Sequence, residues 1–233
     1  TFIPGNTNVY NKDYSSYSLE DVCLEMSSLG KGDIREPFIE VTYPNGSSTT
    51  DMVFDRAEII QGKEEYDTLP GSYDDNGEVE QLVIYLKDRN YNLTLELHYY
   101  VYEKCDIITR SAKLVNSGNE SVRLERLMSM QLDLNESDYE LSFFNGAWAR
   151  EMNRSRIPIR AGKYVNESVT GTSSNRANPF FMIGRSSTTE DYGECYGFNL
   201  IYRGNHYEAE QVNSYGKLRL VSGINPAIFS YII

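Results

Sequence analysis

Adjacent pairs of carboxyl side chains occur in the sequence, among them those at 64–65 (Glu-Glu), 74–75 (Asp-Asp) and 190–191 (Glu-Asp). Two carboxyl groups can act as general acid and general base when rigid elements hold them on either side of one bond. All three pairs lie in polar, loop-like stretches, where adjacent carboxylates are usually solvated charges. We therefore predict no catalytic residue in this chain.

The two histidines, His98 and His206, could serve as metal ligands only with well-placed carboxylates. No helical pattern presents them at ligand spacing, and His98 alternates within an extended stretch, which is typical of a surface or cross-strand residue. The sequence contains no nucleophile elbow, Walker loop or dinucleotide-binding glycine motif. We predict no metal site and no cofactor.

Trp148 is the only tryptophan in 233 residues and lies in the stretch FFNGAWARE. The small residues before it indicate a turn, although a single large aromatic residue more often fills a core. At a turn, an indole can stack on the C–H face of a sugar ring while its N–H reaches a hydroxyl. From these residues alone, core packing is the better supported interpretation.

The composition excludes some classes of partner. The chain has 22 Lys and Arg against 34 Asp and Glu, a net charge of −12, and no basic run. Such a chain has no electrostatic surface for a nucleic acid or an anionic membrane. It also has no apolar run long enough to span a bilayer. A neutral ligand is favoured.

Cysteine usage bears on the compartment. Cys23, Cys105 and Cys195 are few and widely spaced, which favours a reducing compartment over a disulfide scaffold. Six glycosylation sequons point the other way, and we interpret them as chance; they begin at Asn45, Asn92, Asn119, Asn135, Asn153 and Asn166. No signal peptide is evident, and the sequence begins at Thr1, which indicates a piece of a longer protein. We predict a cytoplasmic location.

Alternation of apolar and polar residues predicts strands along most of the chain. In residues 92–102, NLTLELHYYVY, the odd-numbered positions form the apolar face and the even-numbered positions the wetter one. Comparable stretches cover 38–43, 81–87, 106–115, 121–134, 193–202, 206–212, 217–223 and 228–233. Turn residues separate several of them, as at 44–46, 88–90 and 116–119. The prediction is an all-β fold, a large antiparallel β-sandwich (supersandwich) with one or two short helices.

Two segments depart from this pattern. Residues 18–30 predict a short helix, since Ser18 is an N-cap candidate, Leu19, Cys23 and Met26 recur at helical spacing, and Gly30 can end the helix. Residues 154–178 are polar and predict a long loop, which often forms a contact surface. We find no domain boundary and treat 1–233 as one domain.

Several stretches occur in an order that resembles a known family. They are RSAKLVNSGNESVRLERLMSMQLDL, SDYELSFFNGAWARE, GTSSNRANPFF, GECYGFNLIYRGNHYEAEQ and GINPAIFSY, and the earlier GDIREPFIEVTYPNGS fits the same pattern. Together they resemble the N-terminal β-sandwich domain of the family 36 glycoside hydrolases, the bacterial α-galactosidases. The resemblance covers nearly the entire chain.

The resemblance implies a retaining α-galactosidase, usually intracellular and often tetrameric, that cleaves terminal α-galactose from melibiose and raffinose-type sugars. Its catalytic aspartates lie on a (β/α)8 barrel after the sandwich, so this segment alone is expected to be inactive and to lack the first strands and that barrel. The expected partners are the α-galactoside substrate, the catalytic barrel and further copies of the subunit, as a tetramer. The family's sandwich sends a Trp toward a sugar site, and GAWARE matches that element. Trp148 is therefore predicted to bind substrate, whereas Arg150 is not expected to be a ligand.

Some positions depart from the family pattern. Ala57 and Asn175 stand where histidine is usual, and residues 169–170 replace a basic pair, which bears on subunit contacts. The family's acidic sugar contact is expected just before Thr1. Two alternatives stay open. One is a free-standing, lectin-like carbohydrate-binding module that uses some of the 19 tyrosines as a stacking platform. The other is a purely structural sandwich.

Overall fold

A computed structural model describes residues 19–66 and 68–233. Its strands are β1 (Ile39–Thr42), β2 (Met52–Gln61), β3 (Glu80–Asp88), β4 (Leu93–Tyr102), β5 (Ile107–Asn116), β6 (Arg123–Leu134), β7 (Glu140–Ala147), β8 (Arg150–Pro158), β9 (Gly162–Glu167), β10 (Ala177–Gly184), β11 (Cys195–Asn199), β12 (His206–Val212), β13 (Leu218–Ile224) and β14 (Tyr231–Ile232). Short 3-10 turns occur at Leu19–Asp21, Glu103–Cys105 and Pro226–Ile228. The predicted all-β fold is confirmed. Within the described ranges, no helix is long and apolar enough to cross a bilayer.

The strands form three antiparallel sheets. A six-stranded sheet has the order β1-β6-β13-β12-β9, with β14 also paired to β6. The sheets β2-β3-β4-β5 and β11-β10-β7-β8 have four strands each. The six-stranded sheet contributes residues to two separate hydrophobic cores, each of which it shares with one of the four-stranded sheets. It is therefore the middle layer of three.

Each core is built from alternate residues of facing sheets. On one side, Leu95 and Leu97 of β4 pack with Met128 of β6 and Val221 of β13. On the other side, Phe181 of β10 belongs to the cluster that contains Leu218 and Leu220 of β13. Burial of one such aliphatic side chain contributes about 1.5–3 kcal/mol. The middle sheet is therefore buried on both of its faces.

The helix predicted for 18–30 is wrong over its described part, since only Leu19–Asp21 forms a helical turn. The backbone groups that a helix would use are bonded elsewhere. The carbonyl of Ser27 accepts the N–H groups of Phe38 and Ile39 at 3.0 and 3.2 Å. The N–H of Leu24 donates to the Asp133 carboxylate at 2.9 Å. Tertiary contacts thus override the weak helical propensity of this segment. Ser18 lies outside the described residues.

The loop predicted for 154–178 is also wrong over most of its length. Residues Arg150–Pro158 form β8, which pairs with β7, and Gly162–Glu167 form β9, the edge strand of the middle sheet next to β12. These strands are polar because much of β8 and one end of β9 face solvent. Residues 159–161 and 168–176 form the irregular remainder.

Toward the end of β4, the face that is buried at the start of the strand becomes exposed, and the opposite face becomes buried. Tyr100 is 1 % exposed whereas Val101 is 39 % exposed, opposite to the alternation-based prediction. Tyr66 covers this part of the sheet, since its hydroxyl shares hydrogen bonds with the hydroxyls of Tyr100 at 2.9 Å and Ser111 at 2.6 Å. The segment that contains Tyr66 crosses over the sheet and buries this polar face, and among the described residues no second layer of strands is involved.

Candidate functional site

Trp148 lies at the tip of the hairpin formed by β7 and β8. Its side chain is 90 % exposed. Ala147 and Arg150 are the last paired residues of the two strands, and Ala149 adopts a left-handed φ of 59°. The predicted turn is confirmed, and the interpretation of Trp148 as core filling for this domain is wrong.

Side-chain hydrogen bonds hold the backbone of this tip. Oε1 of Glu151 accepts a hydrogen bond from the N–H of Ala149 at 2.9 Å. Nδ2 of Asn153 donates to the carbonyl of Arg150 at 2.6 Å. Met152 also has a left-handed φ, of 58°. The backbone conformation of the turn that bears the indole is therefore fixed by hydrogen bonds.

The irregular segment before β10 braces the other side of the hairpin. A Cβ added to Gly146 would lie 2.7 Å from the carbonyl oxygen of Asn175 and 2.8 Å from that of Arg150. The N–H of Gly146 donates to the carbonyl of Arg176 at 3.3 Å, and Nδ2 of Asn175 lies 3.5 Å from Oε1 of Glu151. Only a glycine at position 146 allows the backbone of residues 175–176 to approach this closely. The contact supports β7 just before Trp148.

Next to the tip, the hairpin forms an open hollow of about 400 Å³. It is lined by Asn145, Gly146, Ala147, Arg150 and Asn153. The polar side chains on this surface are two neutral amides and one guanidinium, and no carboxylate lines it. Such a set can donate to and accept from hydroxyl groups.

Of the carboxyl pairs singled out in the sequence, 64–65 and 74–75 lie in the connection between β2 and β3, and 190–191 lies in the connection between β10 and β11. Asp74 accepts a hydrogen bond from the N–H of Glu78 at 2.9 Å, and Glu190 pairs with Arg154 at 2.9 Å. Nδ1 of His98 is hydrogen-bonded to Gln81 at 2.9 Å. In the described part of the chain, no group of three or more His, Cys, Asp and Glu side chains could hold a metal ion.

The sequence analysis did not predict that three titratable residues of β12 would be buried. His206 and Glu208 are 0 % exposed and Glu210 is 3 % exposed. Burial raises the pKa of Glu208 to about 8, although Asn166 donates to its carboxylate at 2.8 Å, and burial lowers the pKa of His206. Shifted groups of this kind are candidates for function. Both carboxylate oxygens of Glu210 are buried and have no hydrogen-bond partner in the described part of the chain.

The described residues form a three-layer antiparallel β domain with one exposed indole on a braced hairpin. The whole chain, residues 1–233, matches the family model of the glycosyl hydrolase family 36 N-terminal domain, and it belongs to that family. The resemblance inferred from the sequence is confirmed.

The similar proteins are α-galactosidases. The α-galactosidase AgaA of Geobacillus stearothermophilus is 36% identical over 219 residues, which cover 94% of this chain and 30% of that relative. The crystal structure of the α-galactosidase from Lactobacillus brevis superposes with a TM-score of 0.91 at 38% identity, over 93% of this chain and 29% of the other. A variant of AgaA in complex with stachyose gives 0.92 at 35% identity, over 96% of this chain and 31% of that one. The chain thus spans about 30% of the length of these relatives.

Proposed function

We propose that this chain is the non-catalytic N-terminal domain of a retaining α-galactosidase that hydrolyses terminal α-galactosides of the melibiose and raffinose type. Its family membership and the activity for which its relatives are named support this proposal. The two cores share one middle sheet, which supports a single domain over 1–233. The catalytic aspartates belong, in this proposal, to a barrel in another part of the protein.

Trp148 supplies an aromatic wall to the sugar site of that enzyme. The observation that carries this role is an indole 90 % exposed at the tip of a hairpin that hydrogen bonds and Gly146 hold in place. A large aromatic side chain kept in water on a rigid support is suited to a partner that covers it. Stacking on a galactose ring would contribute on the order of 1–3 kcal/mol.

The barrel and further subunits are the proposed protein partners. Ile59 is 78 % exposed on β2, and Ile108 is 63 % exposed on β5. Apolar side chains at these positions on an outer sheet suit contacts with other parts of the assembly. A cytoplasmic location is supported by the free thiols of Cys23, Cys105 and Cys195.

The test replaces Trp148 by Ala in the full-length enzyme. We expect the KM for melibiose to rise about tenfold, as loss of about 1.4 kcal/mol of stacking requires, with the melting temperature little changed. Tyr73→Ala is the matched control, because Tyr73 is 77 % exposed on a loop next to the opposite outer sheet. If Trp148→Ala behaves like Tyr73→Ala in both KM and kcat, the aromatic wall is refuted.

A second measurement tests whether residues 1–233 have any catalytic activity of their own. Residues 1–233 alone should hydrolyse no nitrophenyl α-galactoside, because no described carboxyl pair flanks the hairpin site. Measurable turnover by this segment would contradict the assignment of catalysis to a barrel.

A further inference from the structure

A second cavity opens between two sheets, where the edge strand β8 of an outer sheet turns into β9, the edge strand of the middle sheet. Its volume is about 140 Å³. Leu141 of β7, Ile157 of β8 and Ile159 of the turn line it with aliphatic carbon, and Glu210 is its one lining residue from β12. This edge cavity shares no lining residue with the hollow beside Trp148.

Glu210 brings a carboxyl group without a partner to the edge cavity. On the middle sheet it lies between Tyr164 of β9 and Leu220 of β13, and its side chain is 3 % exposed. Neither carboxyl oxygen has a hydrogen-bond partner among the described residues. Buried polar groups in proteins are nearly always hydrogen-bonded, so a buried carboxyl group that lines a cavity and lacks a partner indicates a ligand in that cavity.

The surroundings of Glu210 keep its carboxyl group uncharged. The nearest cationic side chain of the lining, Lys163, directs its Nζ atom to Glu36 at 2.6 Å instead. Burial raises the pKa of Glu210 well above its ordinary value, and the charge of Glu208 on the same face of β12 adds to the rise. An interior carboxyl group with no counter-ion takes up a proton rather than stay charged. It then presents one O–H donor beside one carbonyl acceptor.

This donor and acceptor select the polar group of the ligand. A carboxamide matches both, because its carbonyl accepts from the O–H of Glu210 while its N–H donates to the carbonyl oxygen. A carboxylate has acceptors alone and would place one of them against that oxygen. An ammonium group has donors alone, so it requires Glu210 to ionise, and it must pass Arg160 and Lys163, which are exposed at the lining.

The walls and the volume select the rest of the ligand. Aliphatic side chains line the edge cavity, so an aliphatic chain can leave water there. An apolar cavity of about 150 Å³ can hold benzene, so this volume accommodates a molecule of similar size, such as butyramide. We propose that the edge cavity binds a short aliphatic primary amide, whose carboxamide group exchanges two hydrogen bonds with Glu210. This site involves neither Trp148 nor the hollow, so it does not rest on the proposed function.

The experiment titrates the full-length enzyme with butyramide, butylammonium and butyrate, followed by ligand-observed NMR. A ligand of this size with two hydrogen bonds is expected to have a Kd of about 1–10 mM. We expect butylammonium and butyrate to bind at least about tenfold more weakly, since each loses the matched pair of hydrogen bonds. The three probes have chains of similar length, so differences among them report on the polar group.

Two substitutions of Glu210 test its role. Glu210→Leu keeps the size of the side chain but removes both hydrogen bonds, and it should weaken butyramide at least about tenfold. Glu210→Gln again presents a donor beside an acceptor, so the Kd for butyramide should stay within about threefold of the parent value. Glu120→Leu is the matched control, because Glu120 is an exposed glutamate in the turn between β5 and β6. It should leave butyramide binding unchanged.

The pattern across probes and variants decides the proposal. Butyramide binding that Glu210→Leu abolishes and Glu210→Gln retains supports the amide site, provided that the melting temperature of each variant stays near that of the parent enzyme. Tighter binding of butylammonium than of butyramide, lost in Glu210→Gln, would show a cation site and overturn the proposal. It is also overturned if none of the probes binds the parent enzyme, or if Glu210→Leu binds butyramide as Glu120→Leu does. Should Glu210→Leu fail to fold, loss of butyramide binding in the folded Glu210→Gln enzyme overturns the proposal and its retention there supports it.

Discussion

Arg219 on β13 lies directly opposite Asp133 on β6, and its Nε and Nη2 atoms each donate a hydrogen bond of 2.7 Å to the two carboxylate oxygens of Asp133. Both side chains are fully buried. Asp33 accepts a second contact from Arg219 at 2.8 Å, and Arg35 lies 3.2 Å from Asp133. Burial acts to raise the pKa of Asp33, but the hydrogen bond from Arg35 and the charge of Arg219 outweigh it and hold that pKa below its usual value. The four residues form a closed ionic network that fastens the segment before β1 to the middle sheet.

Removing one charge from this network should destabilise the fold strongly. Asp133→Asn keeps the shape of the side chain but leaves Arg219 without its bidentate partner in the interior. We expect the free energy of unfolding to fall by about 3–5 kcal/mol, the range for breaking a buried ion pair. Urea unfolding followed by circular dichroism measures this change.

The matched control is an exposed ion pair of similar length. Glu78 accepts from Lys104 at 2.6 Å, with side chains 50 % and 76 % exposed. Glu78→Gln should leave the unfolding midpoint close to that of the parent, because solvent screens such pairs. Equal effects of the two substitutions would show that the buried network contributes no more than a surface pair.

Local patterns predicted the strands, because alternation and turn residues act over a few positions. The turn at 88–90 between β3 and β4 and the turn at Trp148 are examples. What local patterns could not predict is the number of layers. In HYEAEQV, alternate polar residues indicate one wet face, yet β12 lies inside the middle sheet and the outer sheet β11-β10-β7-β8 covers that face. The segment 18–30 was misassigned for a similar reason, since its backbone partners are distant in sequence.

The candidate site was predicted only as far as its single aromatic residue. The resemblance marked Trp148, and the small residues before it indicated the turn. Asn145 and Asn153 carry no such signal, because only the observed register places them opposite each other. The bulge between Asn145 and Ala147 depends on the contact of Gly146 with Asn175, which the sequence does not reveal.

Glu208 should make the stability of the protein depend on pH. Burial raises its pKa from 4.5 to about 8. Between these values, the folded protein keeps a proton that the unfolded chain has released. The stabilisation is therefore fully present below about pH 4.5 and is lost progressively as the pH rises toward 8, by about 1.4 kcal/mol per pH unit. Glu208→Gln, which has no proton to lose, should reduce this slope.

Urea unfolding at pH 5, 6, 7 and 8 measures the slope directly. Glu120→Gln is the control, because it makes the same chemical replacement at an exposed carboxyl group. The free energy of unfolding of Glu208→Gln should fall less with pH than that of Glu120→Gln. Parallel curves for the two variants would mean that Glu208 is ionised in the folded protein. Glu210 remains in both variants, and burial also raises its pKa, so some decline toward high pH is expected in each.

Gly146→Ala should displace the hairpin that carries Trp148. The added methyl group would lie 2.7 Å from the carbonyl oxygen of Asn175 and 2.8 Å from the Cα atom of Glu151, and backbone atoms cannot give way as a flexible side chain can. We expect a loss of about 1–3 kcal/mol in the free energy of unfolding, as for other overpacked positions, together with a raised KM for melibiose in the full-length enzyme. Gly197→Ala on β11 is the control, because its nearest contact, Cε2 of Phe180, is at an ordinary 3.5 Å. A Gly146→Ala enzyme with the stability and KM of Gly197→Ala would show that the hairpin can shift without harm, so that the position of the indole would not depend on its brace.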